Sequence, residues 1–380
     1  MTSTDDSPGA DDTGRVIREP VSAPLADGRE ILFYSAGDEP PVPGVDHRDL
    51  PAAPRDSPTR IRRDPQTRDW VMIAPTRQER TYKPPRKMCP LCPDPTGRSS
   101  EVPAEDYDVV VFENRFPSLS TAHAGTGFTL PEPVDELLVE APGYGRCEVV
   151  CFTSDHDGAF SRLSPERARM MVDVWSQRTD DLLSRDGVEE VFCFENRGEE
   201  IGVTLTHPHG QIYAYPFRTH RTTTMTEAAR EHRSRTGTDL FETILATEVA
   251  DGRRVLRRTE YTTAFVPFAA RWPAEVHIYP NRHVRRLAEL TDAEADDLAL
   301  TYLDVLRAYD DLYGKPLPYI ASWHQYRPDA DEGHLHAELF SIRRSADKLK
   351  YLAGSESGRD AFVTDKTPED VAADLRKVLR

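Results

Sequence analysis

The sequence predicts an α+β protein built from two similar units that share one antiparallel sheet, with helices packed on it. Three observations at one spacing predict this. The segment Glu148–His156 (EVVCFTSDH) matches Glu275–His283 (EVHIYPNRH) at an offset of 127 residues. Leu163-Ser164 recurs as Leu290-Thr291 at that offset, each pair opening an amphipathic helix. His207-Pro208-His209 recurs as His334-Leu335-His336, with Gln211 opposite Glu338. One match would mean little, but an offset kept across strand, helix cap and H-x-H points to duplication. The repeated unit holds strands, one long helix, then a strand carrying H-x-H.

Residues 1–59 carry nine prolines, many aspartates and a single apolar cluster, Ile31 to Tyr34. That composition predicts an extended or disordered arm. Residues 60–217 form the first unit and 218–380 the second. In the first, Trp70–Ala74, Tyr107–Phe112, Cys147–Thr153, Val188–Phe194 and Thr204–Ala214 read as strands. Ser164 caps a helix that continues to Leu183, and Pro84–Pro95 is a proline-punctuated loop. Pro368–Leu379 reads as a surface helix.

Apolar residues are 38 % of the 380, enough for a sizeable core, and no run of 18 apolar residues suggests a membrane span. The N-terminus is acidic and lacks an apolar stretch of the secretory kind, so a cytoplasmic location is expected. A net charge of −17 repels phosphodiester backbones and argues against nucleic acid as a partner. Against that background, Arg60–Lys87 holds nine Lys/Arg and three Asp/Glu, a local site for an anion or simply a solvated basic face. Five cysteines in so long a chain predict reduced thiols. Cys147, Cys151 and Cys193 sit in apolar runs and read as core.

The chemistry concentrates in Thr206-His207-Pro208-His209-Gly210-Gln211. On a strand, alternation would turn His207, His209 and Gln211 to one face. Pro208 removes a ladder donor and hints at an irregular segment, while Gly210 lets a phosphate approach the backbone. Cys89-Pro90-Leu91-Cys92 is a redox pair, half of a zinc site, or coincidence; its proline-rich surroundings disfavour the redox reading.

H-P-H-G-Q in this setting resembles the galactose-1-phosphate uridylyltransferases, a branch of the histidine-triad superfamily. The resemblance runs from about Arg62 to Glu356 and includes Asp64-Pro-x-Thr-x-x-Trp70, Ala74-Pro-x-Arg-x-x-Arg80, Cys89-x-x-Cys92, Phe112-x-Asn-x-Phe116, Asp155-His156 and Phe194-Glu-Asn-x-Gly198. It implies a histidine-triad-like half-barrel of two units and uridylyl transfer from UDP-glucose to galactose-1-phosphate in the Leloir route of galactose metabolism. His209 would be the nucleophile, with Gln211 donating to phosphoryl oxygens. It implies a structural Zn²⁺ on Cys89, Cys92, His156 and His207. A second metal, iron or zinc, would fall on His324, His336, Glu338 and a glutamate for which Glu227 is the nearest candidate. Arg77 and Arg80 would meet sugar phosphate, and Asn114 and Asn196 the nucleotide. Leu91, Phe112, Phe116 and Val149 would form an apolar uracil slot, and Gly202, Val203 and Thr204 a phosphate turn. Lys350 and Glu356, with Ser355 between them, would belong to a hexose-binding tail that often crosses a homodimer interface, Lys350 and Glu356 matching it. Arg115 replaces a frequent aspartate, and Ser355 a usual tyrosine. The alternative enzyme of this fold is an ADP-glucose or dinucleotide phosphorylase. Readings of another class are a zinc hydrolase, which would want more open metal ligands than Gly210-Gln211 supply, and a zinc-stabilised binding module.

Overall fold

The structure is a computed structural model that describes residues 18–37, 39, 41–52, 58–80, 82–122 and 137–380. Its strands are β1 (Val21–Pro24), β2 (Glu30–Tyr34), β3 (Arg60–Arg63), β4 (Trp70–Ile73), β5 (Val109–Glu113), β6 (Glu140–Pro142), β7 (Arg146–Cys151), β8 (Glu190–Arg197), β9 (Gly210–Tyr215), β10 (Val255–Arg258), β11 (Thr262–Phe265), β12 (Ala274–Pro280), β13 (Tyr319–His324), β14 (His336–Ser341), β15 (Arg343–Ser345) and β16 (Lys348–Leu349). The helices are α1 (Pro165–Leu183), α2 (His220–Thr236), α3 (Leu240–Asp251), α4 (Asp292–Asp311), α5 (Gly354–Arg359) and α6 (Pro368–Arg376). Among the described residues, no helix is long and apolar enough to cross a membrane.

One open sheet of 11 strands runs β1-β2-β5-β7-β9-β8-β13-β14-β12-β11-β10. Its neighbours pair antiparallel, and the two units meet where β8 pairs with β13. Reading outward from that seam, β8-β9-β7-β5 is mirrored by β13-β14-β12-β11. The duplication predicted from the 127-residue offset is therefore visible in the strand order.

Both long helices start where the sequence places their caps. The Ser164 hydroxyl accepts from the Arg167 N–H, and Pro165 occupies the first turn, where its missing N–H has no partner to lose. Thr291 and Glu294 complete a capping box on α4. The helices pack side by side on one sheet face, burying Met171, Trp175 and Leu182 of α1 and Leu298, Tyr302 and Leu306 of α4 against Val150, Ile212, Val276 and Leu339.

The repeat is less regular than its sequence match. Gln211 and Glu338 are 127 apart, yet their cross-strand partners, Val149 and His277, are 128 apart. A one-residue slip turns every side chain to the other face. Glu148 consequently lies under α1 with Arg178, whereas Glu275, its match in the sequence, faces the opposite side and accepts from the Arg271 and Trp272 N–H groups.

Glu148 is fully buried and takes two bonds from Arg178, at 2.8 and 3.0 Å, and one from Arg146 at 3.1 Å. Burial alone would raise its pKa, but the two guanidinium groups outweigh it and hold the carboxyl below its usual range. Removing one partner strands buried charge, so Arg178→Met is expected to destabilise the protein by ~3 kcal/mol in urea unfolding. Because the native pKa is depressed, Glu148's contribution is in place above its unfolded value of 4.5 and fades as pH falls through the native one.

Two expectations need correction. Residues 21–34 of the expected arm form a hairpin that extends the sheet, β2 pairing Ile31 with Phe112 and Phe33 with Val110. Ile31 and Phe33 bury on one side, Leu32 and Tyr34 on the other, so a strand covered on both faces hid inside a proline-rich segment. Residues 1–17 lie outside the described part. The last helix, α6, is amphipathic and sends Val371, Ala372 and Leu375 into the main core, so it is more than a surface helix.

Candidate active site

The H-P-H segment is not a strand: β9 begins only at Gly210, and residues 204–209 take no regular form. Pro208 cannot donate to a ladder, so the shared face predicted for His207, His209 and Gln211 breaks up. His209 and Gln211 open into a cleft of about 510 Å³, while His207 is fully buried beside Cys92. Within β9, Gly210 matters as an absence, because a Cβ there would sit 3.0 Å from the Phe194 carbonyl oxygen of β8.

The geometry fixes two imidazole tautomers. His207 Nε2 lies 2.8 Å from the Thr153 carbonyl, which can only accept, so Nε2 carries the proton and the Nδ1 lone pair faces the thiols. His207 in turn offers its own carbonyl to His209 Nδ1 at 2.8 Å. Nδ1–H is therefore the donor, and among the described residues the Nε2 lone pair of His209 meets no hydrogen-bond partner. Burial lowers the pKa of His209, and the bond to the His207 carbonyl only partly opposes this, so the ring stays neutral.

Cys89, Cys92, His156 and His207 bring one ligand atom each within 4.8 Å of one another. Cys92 Sγ is 3.2 Å from His156 Nδ1 and 3.5 Å from His207 Nδ1. Burial, then the neighbouring Cys89 sulfur, pushes the Cys92 thiol up to about 12. Ionised, two sulfurs this close need a cation between them, and with the bare Nδ1 of His207 and the His156 Nδ1 that faces Cys92 the set fits a tetrahedral S₂N₂ metal. Four protein ligands leave no open position.

A second group gathers His324, His336 and Glu338, again within 4.8 Å. His336 Nδ1–H donates to the His334 carbonyl at 2.8 Å, so its buried Nε2 presents a lone pair that has no hydrogen-bond partner among the described residues. The expectation for Glu227 is overturned. That residue is exposed, because α2 turns Thr226 and Ala229 inward instead. The helix sends Arg221 to the group, its Nη2 lying 2.6 Å from both Glu338 oxygens. The candidate second site thus has three ligands and an arginine on its carboxylate.

The cleft wall contains Arg77, Arg80, Leu91, Phe112, Asn114, Phe116, Val149, Asn196, Gly202, Val203 and Thr204 together with His209 and Gln211. Arg77 Nη1 donates to the Phe116 carbonyl at 3.3 Å and lies 3.4 Å from the Tyr213 hydroxyl, which is itself 3.4 Å from Gln211 Oε1. With that oxygen occupied, the Gln211 amide N–H₂ is left for a ligand. Gly202 closes the preceding turn at φ 86°, a left-handed conformation that suits glycine. Lys350, Ser355 and Glu356 do not line this cleft. Lys350 pairs with Glu356 at 2.6 Å, and the Ser355 hydroxyl donates to the Ala361 carbonyl.

Sequence reasoning missed Tyr213, Arg48 and Glu101 in the wall. Tyr213 was findable, since it stands two residues beyond Gln211 on one strand face. Arg48 and Glu101 lie in segments without periodicity and gave no signal.

Fold and site together define a class: a two-unit α+β protein whose histidine-centred cleft lies above a Cys₂His₂ metal-binding group. Two family models match, galactose-1-phosphate uridyl transferase N-terminal domain over residues 49–219 and C-terminal domain over residues 223–379. The galactose-1-phosphate uridylyltransferase of Streptomyces lividans is 48 % identical over 94 % of this chain and 97 % of its own length. That of Thermotoga maritima is 36 % identical over 83 % and 98 %. A solved structure described as a uridylyltransferase superposes with a TM-score of 0.74 at 33 % identity, covering 84 % of this chain and 98 % of that one. The chain belongs to the galactose-1-phosphate uridylyltransferase family and is a uridylyltransferase of galactose metabolism.

Proposed function

We propose that this chain moves the uridylyl group of UDP-glucose to galactose-1-phosphate in two displacements through a covalent uridylyl-His209. The observation that carries the reading is the bond from His209 Nδ1–H to the His207 carbonyl, which leaves a neutral Nε2 nucleophile in the cleft. Nε2 donates its lone pair to the α-phosphorus, the P–O bond to glucose-1-phosphate breaks, and that phosphate leaves with the electron pair. A phosphate oxygen of galactose-1-phosphate then attacks the same phosphorus, the P–N bond breaks, and UDP-galactose departs. Neither leaving group needs a strong acid. The Gln211 amide donates to the phosphoryl oxygens without being able to deprotonate water, which favours transfer over hydrolysis. Arg77 and Arg80 bind the phosphates, Asn114 and Asn196 the nucleotide, and Leu91, Phe112, Phe116 and Val149 the uracil.

Zinc on Cys89, Cys92, His156 and His207 would supply structural anchorage: His207 is held by its ring, and its carbonyl fixes His209. A second ion, iron or zinc, is the reading for His324, His336 and Glu338. Cytoplasmic action in the Leloir route, and a homodimer that brings Lys350, Ser355 and Glu356 to a partner's cleft, complete the proposal.

Initial rates over both substrates should give parallel double-reciprocal lines, the pattern of a ping-pong reaction. Intersecting lines would mean that both substrates bind before transfer and would sink the covalent route. The pH profile follows from the His209 shift. Its pKa lies below the usual 6.5, so kcat/KM for UDP-glucose should be flat above that pH and fall with unit slope only below it. An acid limb that begins above pH 7 would contradict the neutral ring.

A further inference from the structure

The cleft wall carries charges of both signs. Arg77 and Arg80 lie in it, Arg77 being linked through Tyr213 to Gln211. Glu101 also lines the wall, as do Pro90 and Leu91, and its N–H donates to the Pro90 carbonyl at 2.8 Å. Two arginines from the N-terminal segment grip its carboxylate: Arg29 Nη2 at 2.7 Å and Arg48 Nη1 at 2.9 Å. Asp27 holds Arg29 at 2.7 Å, and Asp46 holds Arg48 at 2.7 Å. Arg29 also donates to the Glu113 carbonyl at 2.6 Å, which clamps the cluster to β5.

All five side chains are less than one-tenth exposed. Three carboxylates against two guanidinium groups leave a net charge of −1, buried and rigid. Such a wall repels a phosphate. It attracts a neutral O–H or N–H donor, because a carboxylate with three N–H partners still has lone-pair capacity. Glu101 also lies beside Leu91, which packs with Phe112 and Val149 on the nucleoside side of the cleft in the reading above.

We propose that Glu101 reads the nucleoside: its carboxylate accepts a hydrogen bond from a neutral donor of uridine, a ribose hydroxyl or the ring N–H, while the charge of its cluster turns the phosphates toward Arg77. The N-terminal segment thereby contributes to donor recognition through Arg29 and Arg48, which orient Glu101. This inference rests on the proposed uridylyl chemistry for the direction in which the nucleotide lies.

The test is calorimetric titration of the full-length, metal-loaded protein with UDP, 2′-deoxy-UDP and N3-methyl-UDP, with Glu101→Gln and Glu101→Asp beside the wild type. The wild type should bind at least one analogue ~10-fold or more weakly than UDP, the scale of one charge-assisted hydrogen bond. The analogue that suffers shows whether hydroxyl or ring N–H is read. Glu101→Gln should weaken UDP by a similar factor and abolish the discrimination. Glu101→Asp keeps the charge but withdraws the carboxylate, so it should lose discrimination while its melting temperature stays near that of the wild type. Discrimination that survives in either variant, or equal weakening of all three ligands, would make Glu101 a structural buttress and overturn the proposal. A protein that binds and discriminates uridine nucleotides yet transfers no uridylyl group would remove the proposed reaction and leave Glu101's role standing. One that binds no uridine nucleotide removes both.

Discussion

Replacing His209 by asparagine is expected to lower turnover by ~10⁴-fold or more, the scale seen when a covalent nucleophile is removed. The side chain is half-buried at the cleft and donates one bond, to the His207 carbonyl, so its loss should barely disturb the fold. Metal content should be unchanged, and UDP-glucose should still bind within several-fold of the wild-type affinity. Turnover in both proposed half-reactions should vanish together, since in the proposed mechanism each passes through the same Nε2. A variant that kept one-tenth of its activity would place the chemistry elsewhere.

Loss of the proposed metal at Cys89, Cys92, His156 and His207 should have the second largest effect. Cys92→Ser removes the sulfur nearest both histidines, at 3.2 and 3.5 Å. The expected result is one metal ion fewer per chain, a clearly lower melting temperature and activity reduced by ~10²-fold or more, the scale on which metal-site partners act. The activity loss has a mechanical cause. Without the ion the His207 ring keeps only its bond to Thr153 and its contact with the Tyr107 hydroxyl, and the carbonyl that fixes His209 loses its anchor. Chelation of the wild type should reproduce the loss, and zinc should restore it. Full activity in metal-free protein would mean that the ion neither orients nor supports the nucleophile.

How much of this was legible in the sequence follows from what each signal depends on. The duplication was legible because H-x-H and the two helix caps are local patterns that survive at a fixed spacing. The slip between β7 and β12 was not, since the letters stay aligned at one offset while the strand pairing shifts by one residue and turns faces over. The first metal group was half legible: C-x-x-C is local, but His156 and His207 are brought to it by the sheet, and only the family resemblance joined them. Glu227 failed as a ligand for a related reason. Its place in the sequence was near enough, but which face α2 turns inward depends on what it packs against, and that face carries Arg221 toward Glu338. The β1–β2 hairpin was masked by prolines, and with it the arginines that hold Glu101. Long-range ion pairs leave no periodic trace in a sequence.

The account stands on one bond between phosphorus and the Nε2 atom of His209, and mass measurement addresses it directly. Intact protein mixed with UDP-glucose and quenched in alkali, where phosphoramidates survive, should gain the mass of one uridylyl group, and peptide mapping should place it on His209. Adding galactose-1-phosphate before the quench should return the mass to its starting value. A wild-type mass that never changes under turnover conditions, or a gain that persists in His209→Asn, would contradict the covalent mechanism.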